Sequence, residues 1–367
     1  MRILLTSNAS YSPARGGSTR SNLVWLRHLV ERGHPCRVVC ASLDEDAHST
    51  AGGIQIHSVK NLAQRRAILQ SDIGEFNPDL VLVSSEDVSQ LLLREAARIV
   101  PDRIVYLAHT PQFFPFGAES WNRDPRAAEI VRGARGVVAI GESTGAYIEQ
   151  AIGVNPAVIH PPIYGQPPFA RLGCFDRGSV LMINPCGVKG IGIFLELARQ
   201  FPDVPFAALQ GWGTTAEDRK SLASVMNIQL IESVDDIEEV LSRTRIFLMP
   251  SLWYEGFGLI AMEAMLRAIP VISSDSGGLV EARQGTGYVI PVRRIERYLP
   301  EFDETHMPRP VIPEQVLAPW TEALGSLLRD RALYEAESER CRVAALRFVS
   351  SLDAADLEKL LLSLVRN

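Results

Sequence analysis

Two glutamates, Glu255 and Glu263, bracket a loop that carries Gly256 and Gly258, with seven residues between the two carboxylates. The apolar run Ile246–Met249 ahead of the loop does not alternate, as expected of a parallel strand buried on both faces. Pro250 ends that strand, and Leu259–Arg267 is rich in good helix formers. Pro270 stops the helix, and Val271–Ser273 reads as the next strand. The first N–H groups of such a helix have no partners within it and carry partial positive charge, which suits a phosphate. Glycines let the backbone approach that ligand. The two carboxylates cannot serve a phosphate, because like charges repel. They can accept hydrogen bonds from hydroxyls, as an acidic residue does for a ribose. Phosphate plus hydroxyls implies a nucleotide, a sugar, or both.

Three other stretches could do chemistry. Val180–Ile183 reads as a strand, and Asn184-Pro185-Cys186-Gly187-Val188-Lys189-Gly190 follows it ahead of a helix to Phe201. Pro205–Gln210 is a strand leading into Gly211-Trp212-Gly213-Thr214-Thr215-Ala216. Alone, that is a G-x-G-x-x-A dinucleotide fingerprint, with Glu232 about twenty residues on. It sits on the second strand of its domain, whereas the fingerprint belongs on the first, which counts against NAD. In the first half, His109 directly follows the strand Arg103–Ala108, where α/β sheets place ligands. The aromatic stretch after it (Phe113, Phe114, Phe116, Trp121) suits either a small-molecule pocket or the packing of a loop.

The elements that must position these residues alternate strand and helix. Arg2–Ser7 is the first strand, with a loop through Pro13, Gly16 and Gly17 and a helix from Thr19 to Arg32. A helix is predicted over Asp87–Val100, and a proline-rich linker through Gly178. The tail from Glu314 is helical, ending in a helix over Leu352–Val365, and Arg293–Pro313 is an insertion with no assigned structure.

At 367 residues the chain exceeds one ordinary core, so two domains are expected. Composition is that of a soluble globular protein, 46% hydrophobic and 22% charged. The net charge of −6 without a basic stripe argues against nucleic acid. The first helix carries Arg20, Arg27, His28 and Arg32, but Glu31 interrupts them, so a solvated face is expected and membrane association is at most peripheral. The N-terminus reads as a strand rather than a signal peptide, and no apolar run is long enough to span a bilayer. Five cysteines without C-x-x-C pairing read as reduced thiols of a cytoplasmic protein.

The stretch E-G-F-G-L-x-x-x-E from Glu255 to Glu263, with Pro250-Ser251 before it and Pro270-Val271 and Gly277-Gly278 after it, resembles the signature of retaining glycosyltransferases of the GT-B fold, family-four type. The resemblance covers nearly the whole chain and is most specific over 180–290. It implies an α/β protein of two Rossmann-like doubly wound domains facing across a cleft. Residues 1–170 would form the acceptor domain, completed by a C-terminal helix over 350–367, and 178–349 the nucleotide-sugar domain. The implied reaction moves a sugar from a nucleotide-sugar, UDP-sugar favoured over GDP-sugar, to a hydroxyl acceptor, with retention at the anomeric carbon. No metal and no cofactor beyond the nucleotide-sugar co-substrate are implied.

Carried over residue by residue, the resemblance puts Lys189 and the amides of Phe257, Gly258 and Leu259 on the donor diphosphate. Glu255 would hold sugar hydroxyls, Glu263 the ribose, and His109 the transferred sugar or the acceptor. Gly16 and Gly17 would approach the diphosphate, Gly211 would flank the nucleotide, and the bend at Val234 would meet the base. Two departures stand out. Asn184 replaces an arginine that serves the phosphates, and Ala268 replaces a glycine expected to matter for packing. Rival readings are a GT-B-like sugar-nucleotide epimerase, which needs no acceptor, and a non-catalytic nucleotide-sugar binder.

Overall fold

The structure is a computed structural model and describes residues 1–14, 16–234 and 236–366. The chain divides into two compact units, Met1–Gly165 with the chain from Leu352 onward, and Gln166–Ser351.

Unit 1 holds β1 (Ile3–Ser10), α1 (Gly17–Glu31), β2 (Cys36–Ala41), β3 (Ala47–Ala51), β4 (Ile54–Val59), α2 (Leu62–Phe76), β5 (Leu80–Ser84), α3 (Leu91–Ile99), β6 (Ile104–Ala108), α4 (Pro125–Arg132), β7 (Gly136–Ala139), α5 (Glu142–Ile152) and β8 (Ala157–Val158). Its eight strands run in the order β3-β4-β2-β1-β5-β6-β7-β8. All pairings are parallel except β3 with β4. β1 lies between β2 and β5, with Ile3 opposite both Cys36 and Leu80. Strand order reverses between β1 and β5, which makes their carboxyl ends the switch point of this sheet. Leu4, Val81, Val83, Ile104, Tyr106 and Phe114 belong to the core beneath it.

Unit 2 holds β9 (Ser179–Ile183), α6 (Ile191–Gln200), β10 (Phe206–Leu209), α7 (Ala216–Ala223), β11 (Ile228–Ile231), α8 (Ile237–Leu241), β12 (Thr244–Met249), α9 (Leu259–Leu266), β13 (Val271–Ser274), α10 (Leu279–Ala282), β14 (Tyr288–Ile290), β15 (Arg297–Phe302), β16 (Pro308–Val311), α11 (Ala318–Arg329) and α12 (Arg331–Ser350). Six strands form a parallel sheet in the order β11-β10-β9-β12-β13-β14. Here the order reverses between β9 and β12. Ile246, Phe247 and Leu248 are at most 1% exposed, which explains a strand without alternation.

Several boundaries differ from the sequence reading. Residues 87–90 are not helical, and α3 begins at Leu91. The Asp87 carboxylate accepts from the Leu92 N–H and from Ser89, and Gln90 takes a left-handed backbone (φ 57°), so the segment turns before it coils. The unassigned insertion is an antiparallel hairpin, β15 with β16, separate from the main sheet. The final helix is α13 (Asp356–Arg366), which belongs to unit 1. His28, Arg32 and His34 converge on its Glu358, with His34 Nε2 3.0 Å from the carboxylate. Burial alone would raise the Glu358 carboxyl, but hydrogen bonds from His34 and His28 and the Arg32 charge hold it below its ordinary value.

Ala268 adds a backbone reason to the packing one expected. It ends α9 with φ 59° and is 1% exposed. A glycine here would relieve backbone strain in the left-handed region, which a Cβ disfavours, so the backbone gives a reason for glycine beside packing. No helix among the described residues is long and apolar enough to cross a membrane.

Candidate functional site

In unit 2, Lys189 and Glu255 meet at the switch point. Lys189 closes a short 3₁₀ turn (Gly187–Lys189) after β9, and Glu255 lies in the loop after β12, the neighbouring strand. The Val188 carbonyl accepts from the Leu252 N–H at 2.9 Å and the Trp253 N–H at 3.2 Å, which ties the two loops together. Lys189 Nζ then stands 2.6 Å from Glu255 Oε1 and 4.1 Å from the centroid of the Trp253 ring. Ser251 donates to the same carboxylate oxygen.

The loop after β13 fastens this one. Ser274 donates to the Ser251 carbonyl and Ser276 to the Trp253 carbonyl, each at 2.6 Å, and the Gly278 N–H donates to the Glu255 carbonyl at 2.8 Å. Gly277 permits that approach, because a Cβ there would stand 2.4 Å from the Glu255 carbonyl oxygen. Gly258 starts α9 at φ 110°, open to glycine alone at little cost, with Leu279 pressed against it. Phe257 and Glu263 are buried, and Leu259 opens the helix.

Asn184 has a different occupation from the arginine it replaces. It sits at φ 56°, 6% exposed, and its Oδ1 accepts from the Gly213 N–H at 2.8 Å. It braces the loop after β10, where Gly211 is exposed and its N–H donates to Thr214 Oγ1. Its Nδ2 is buried without a hydrogen-bond partner among the described residues. Val234 is half-buried in the connection between β11 and α8.

In unit 1, Gly16 caps α1 with φ 95° and Gly17 is the first helical residue. His109 follows β6 and is 2% exposed. Its N–H donates to Ser85 Oγ at 3.0 Å, and its Nε2 lies 2.9 Å from Asn22 Oδ1. The Asn22 amide nitrogen donates to Tyr11 Oη at 2.7 Å and Ser84 Oγ at 2.9 Å, and Ser84 donates to Glu86. Asn22 therefore presents its oxygen to the ring, which places the imidazole proton on Nε2. Nδ1 is then a bare acceptor, buried and without a hydrogen-bond partner among the described residues. Burial holds His109 below the ordinary imidazole pKa, against the opposing charge of Glu86, so the ring is neutral.

The sequence reading missed Asn22, Tyr11 and Ser84. One signal was available: Asn22 is a polar residue on the same face of α1 as Leu26 and Leu29, where it is fully buried. Among the described residues no group of three or more His, Cys, Asp or Glu side chains is arranged to hold a metal ion.

Residues 15–164 match the family described as Glycosyltransferase Family 4, and residues 183–300 match Glycosyl transferases group 1. Sucrose-phosphate synthase from Thermosynechococcus elongatus superposes with a TM-score of 0.76 at 16% identity, covering 99% of this chain and 98% of that one. The chain has the GT-B fold. HepE of Anabaena, solved with UDP-glucose, superposes on this GT-B chain with a TM-score of 0.70 at 15% identity, over 99% and 98% of the two chains. The GT-B chain is also 28% identical to the sulfoquinovosyl transferase SQD2 of Arabidopsis thaliana over 233 residues, which cover 57% of this chain and 45% of that one. It thus spans about half the length of that curated relative or less.

Proposed function

We propose that this protein is a retaining glycosyltransferase that moves a sugar from a nucleotide-sugar, a UDP-sugar before a GDP-sugar, to a hydroxyl acceptor. The observation that carries the reading is the Lys189–Glu255 pair, 2.6 Å apart at the unit 2 switch point and beside the start of α9. A cation, a helix N-terminus and a carboxylate in one place suit a diphosphate bearing a hydroxyl-rich group. The matches to two glycosyltransferase families, and a GT-B neighbour solved with UDP-glucose, support the same substrate class.

In the proposed reaction the bond between the anomeric carbon and the donor phosphate oxygen breaks, and its electron pair leaves with the diphosphate. Lys189 and the amides of Phe257, Gly258 and Leu259 neutralise that growing charge; fixed donors aimed at developing charge lower a barrier. A bond to the acceptor oxygen forms on the same face, and the acceptor proton passes to the departing phosphate. Glu255 holds sugar hydroxyls and Glu263 the ribose. Gly211 and Val234 flank the nucleoside. Neutral His109 accepts a hydrogen bond at Nδ1 from a hydroxyl of the sugar or acceptor. No step uses a metal or a further cofactor.

A thermal-shift panel of UDP-, GDP- and ADP-sugars is the first test, followed by nuclear magnetic resonance of the product anomer. Stabilisation by a UDP-sugar and an unchanged anomeric configuration are expected. A panel in which no nucleotide-sugar raises the melting temperature, or an inverted product, would overturn the reading. Epimerised donor without acceptor would reassign the chemistry.

A further inference from the structure

We infer that the indole of Trp212 is the stacking face for the base of the bound nucleoside diphosphate, held ready by the β15–β16 hairpin. The inference rests on the reading of Lys189 as a diphosphate ligand. Trp212 is 50% exposed, whereas Trp25, Trp253 and Trp320 are buried. It is exposed yet fixed. On its carboxyl side the Gly213 N–H is held by Asn184, and on its amino side the Gly211 N–H is held by Thr214 Oγ1. Thr215 and Asp218 then form a capping box that starts α7.

The hairpin adds a further brace from outside the sheet. Glu304, in its turn, accepts from the Ala216 N–H at the start of α7 and reaches Arg219 Nη2 at 3.4 Å. The segment without assigned structure in the sequence therefore grips the loop that carries Trp212.

One face of Trp212 lies against Trp253, with ring centroids 5.5 Å apart and planes inclined at 34°. Trp253 in turn carries the Lys189 ammonium 4.1 Å from its ring centroid. The exposed indole thus stands one aromatic ring away from the proposed phosphate ligand. A nucleoside places its base one ribose beyond its phosphates, and the exposed Trp212 indole offers a flat aromatic surface at that remove from Lys189. An aromatic face held in place before binding loses little freedom when a base stacks on it. Asn184 gains a role in the same account: it braces the stacking loop in place of charging the phosphate site.

Calorimetry with the full chain separates the possibilities, using UDP and inorganic pyrophosphate as probes. Trp212→Ala should weaken UDP about tenfold, the scale of one base–aromatic stack, and leave pyrophosphate affinity unchanged. Trp212→Phe should keep most of the UDP affinity. Glu304→Ala, which leaves the indole in place but loosens its loop, should cost less than Trp212→Ala. UDP should also shield the exposed indole of the wild type from iodide quenching, and not do so in Trp212→Phe. Wild-type UDP affinity in Trp212→Ala, or an equal loss for pyrophosphate, overturns the inference. If Lys189→Ala weakens UDP while Trp212→Ala does not, the base assignment falls and the diphosphate site stands. If UDP, GDP and ADP all fail to bind the wild type, the diphosphate reading falls first and takes the inference with it.

Discussion

The two units share a topology and differ in what they place at its switch point. Between β9 and β12, unit 2 sets an ammonium against a carboxylate, Lys189 and Glu255, next to the start of a helix. At the tips of β1, β5 and β6, unit 1 sets neutral groups, Tyr11, Asn22, Ser84 and His109, in one hydrogen-bonded chain that ends on Glu86. Burial lowers the His109 pKa, so its ring brings no positive charge to a phosphate, and the nearby Glu86 carboxylate would repel one. On the proposed reading, the unit 2 switch point takes the anion and the unit 1 switch point takes hydroxyls. The fold supplies two equivalent positions, and the side chains decide which ligand each can take.

The widest gap between the units should come from Lys189→Ala. Turnover should fall on the order of a hundredfold or more, the scale of removing one preorganised donor from developing charge. A fall of less than threefold in initial rate would deny Lys189 a place in the reaction. Chelator should leave the rate unchanged; a strict metal requirement would contradict the proposed mechanism.

The two glutamates sharpen the picture within unit 2. Glu263→Gln should weaken nucleoside diphosphate and full donor alike, about tenfold, because the ribose is common to both. Glu255→Gln should slow turnover while keeping or raising nucleoside diphosphate affinity, since it frees the Lys189 ammonium from its present partner. Calorimetry beside initial rates reads both. Equal losses of nucleoside diphosphate affinity in the two variants would count against the assignment.

Much of the unit 2 arrangement was legible because its residues are local in sequence. Glu255, Gly256, Gly258 and Glu263 lie on one strand-loop-helix passage, and glycine positions announce a close approach. Lys189 was placed by resemblance, and its distance to Glu255 depends on strand pairing between β9 and β12 that no local pattern encodes. The network behind His109 was illegible for the same reason: Asn22, which meets the ring, and Tyr11 and Ser84, which hold Asn22, come from separate stretches that only the fold assembles. The hairpin was missed because its strands contain Pro300, Pro308 and Pro310, which argue against a strand unless it lies at an edge. Two strands alone have only edges. The α3 start was misread because Asp87 caps from a turn rather than from within the helix.

Smaller effects separate strain from function. Ala268→Gly should stabilise the chain by about 1 kcal/mol in urea denaturation, by relieving a left-handed alanine, and leave nucleotide affinity alone. No gain, or a loss, would mean that the alanine methyl packs well enough to offset its backbone strain. The smallest expected effect is an acid limb. The unfolded chain protonates a histidine near pH ~6.5, and folded His109 does so only at lower pH. Between those values the unfolded state binds more protons, so His109 costs stability as pH falls. His109→Gln should therefore lose less stability than the wild type between pH 7 and pH 5. Parallel curves would mean that the ring is not held neutral by burial.

The contrast between a charged and a neutral switch point is tested most directly by titrating UDP into Lys189→Ala and His109→Ala side by side in a calorimeter. Lys189→Ala should weaken UDP about tenfold, the worth of one charge-assisted hydrogen bond, while His109→Ala should bind UDP as the wild type does. Loss of UDP affinity in His109→Ala with none in Lys189→Ala would contradict it.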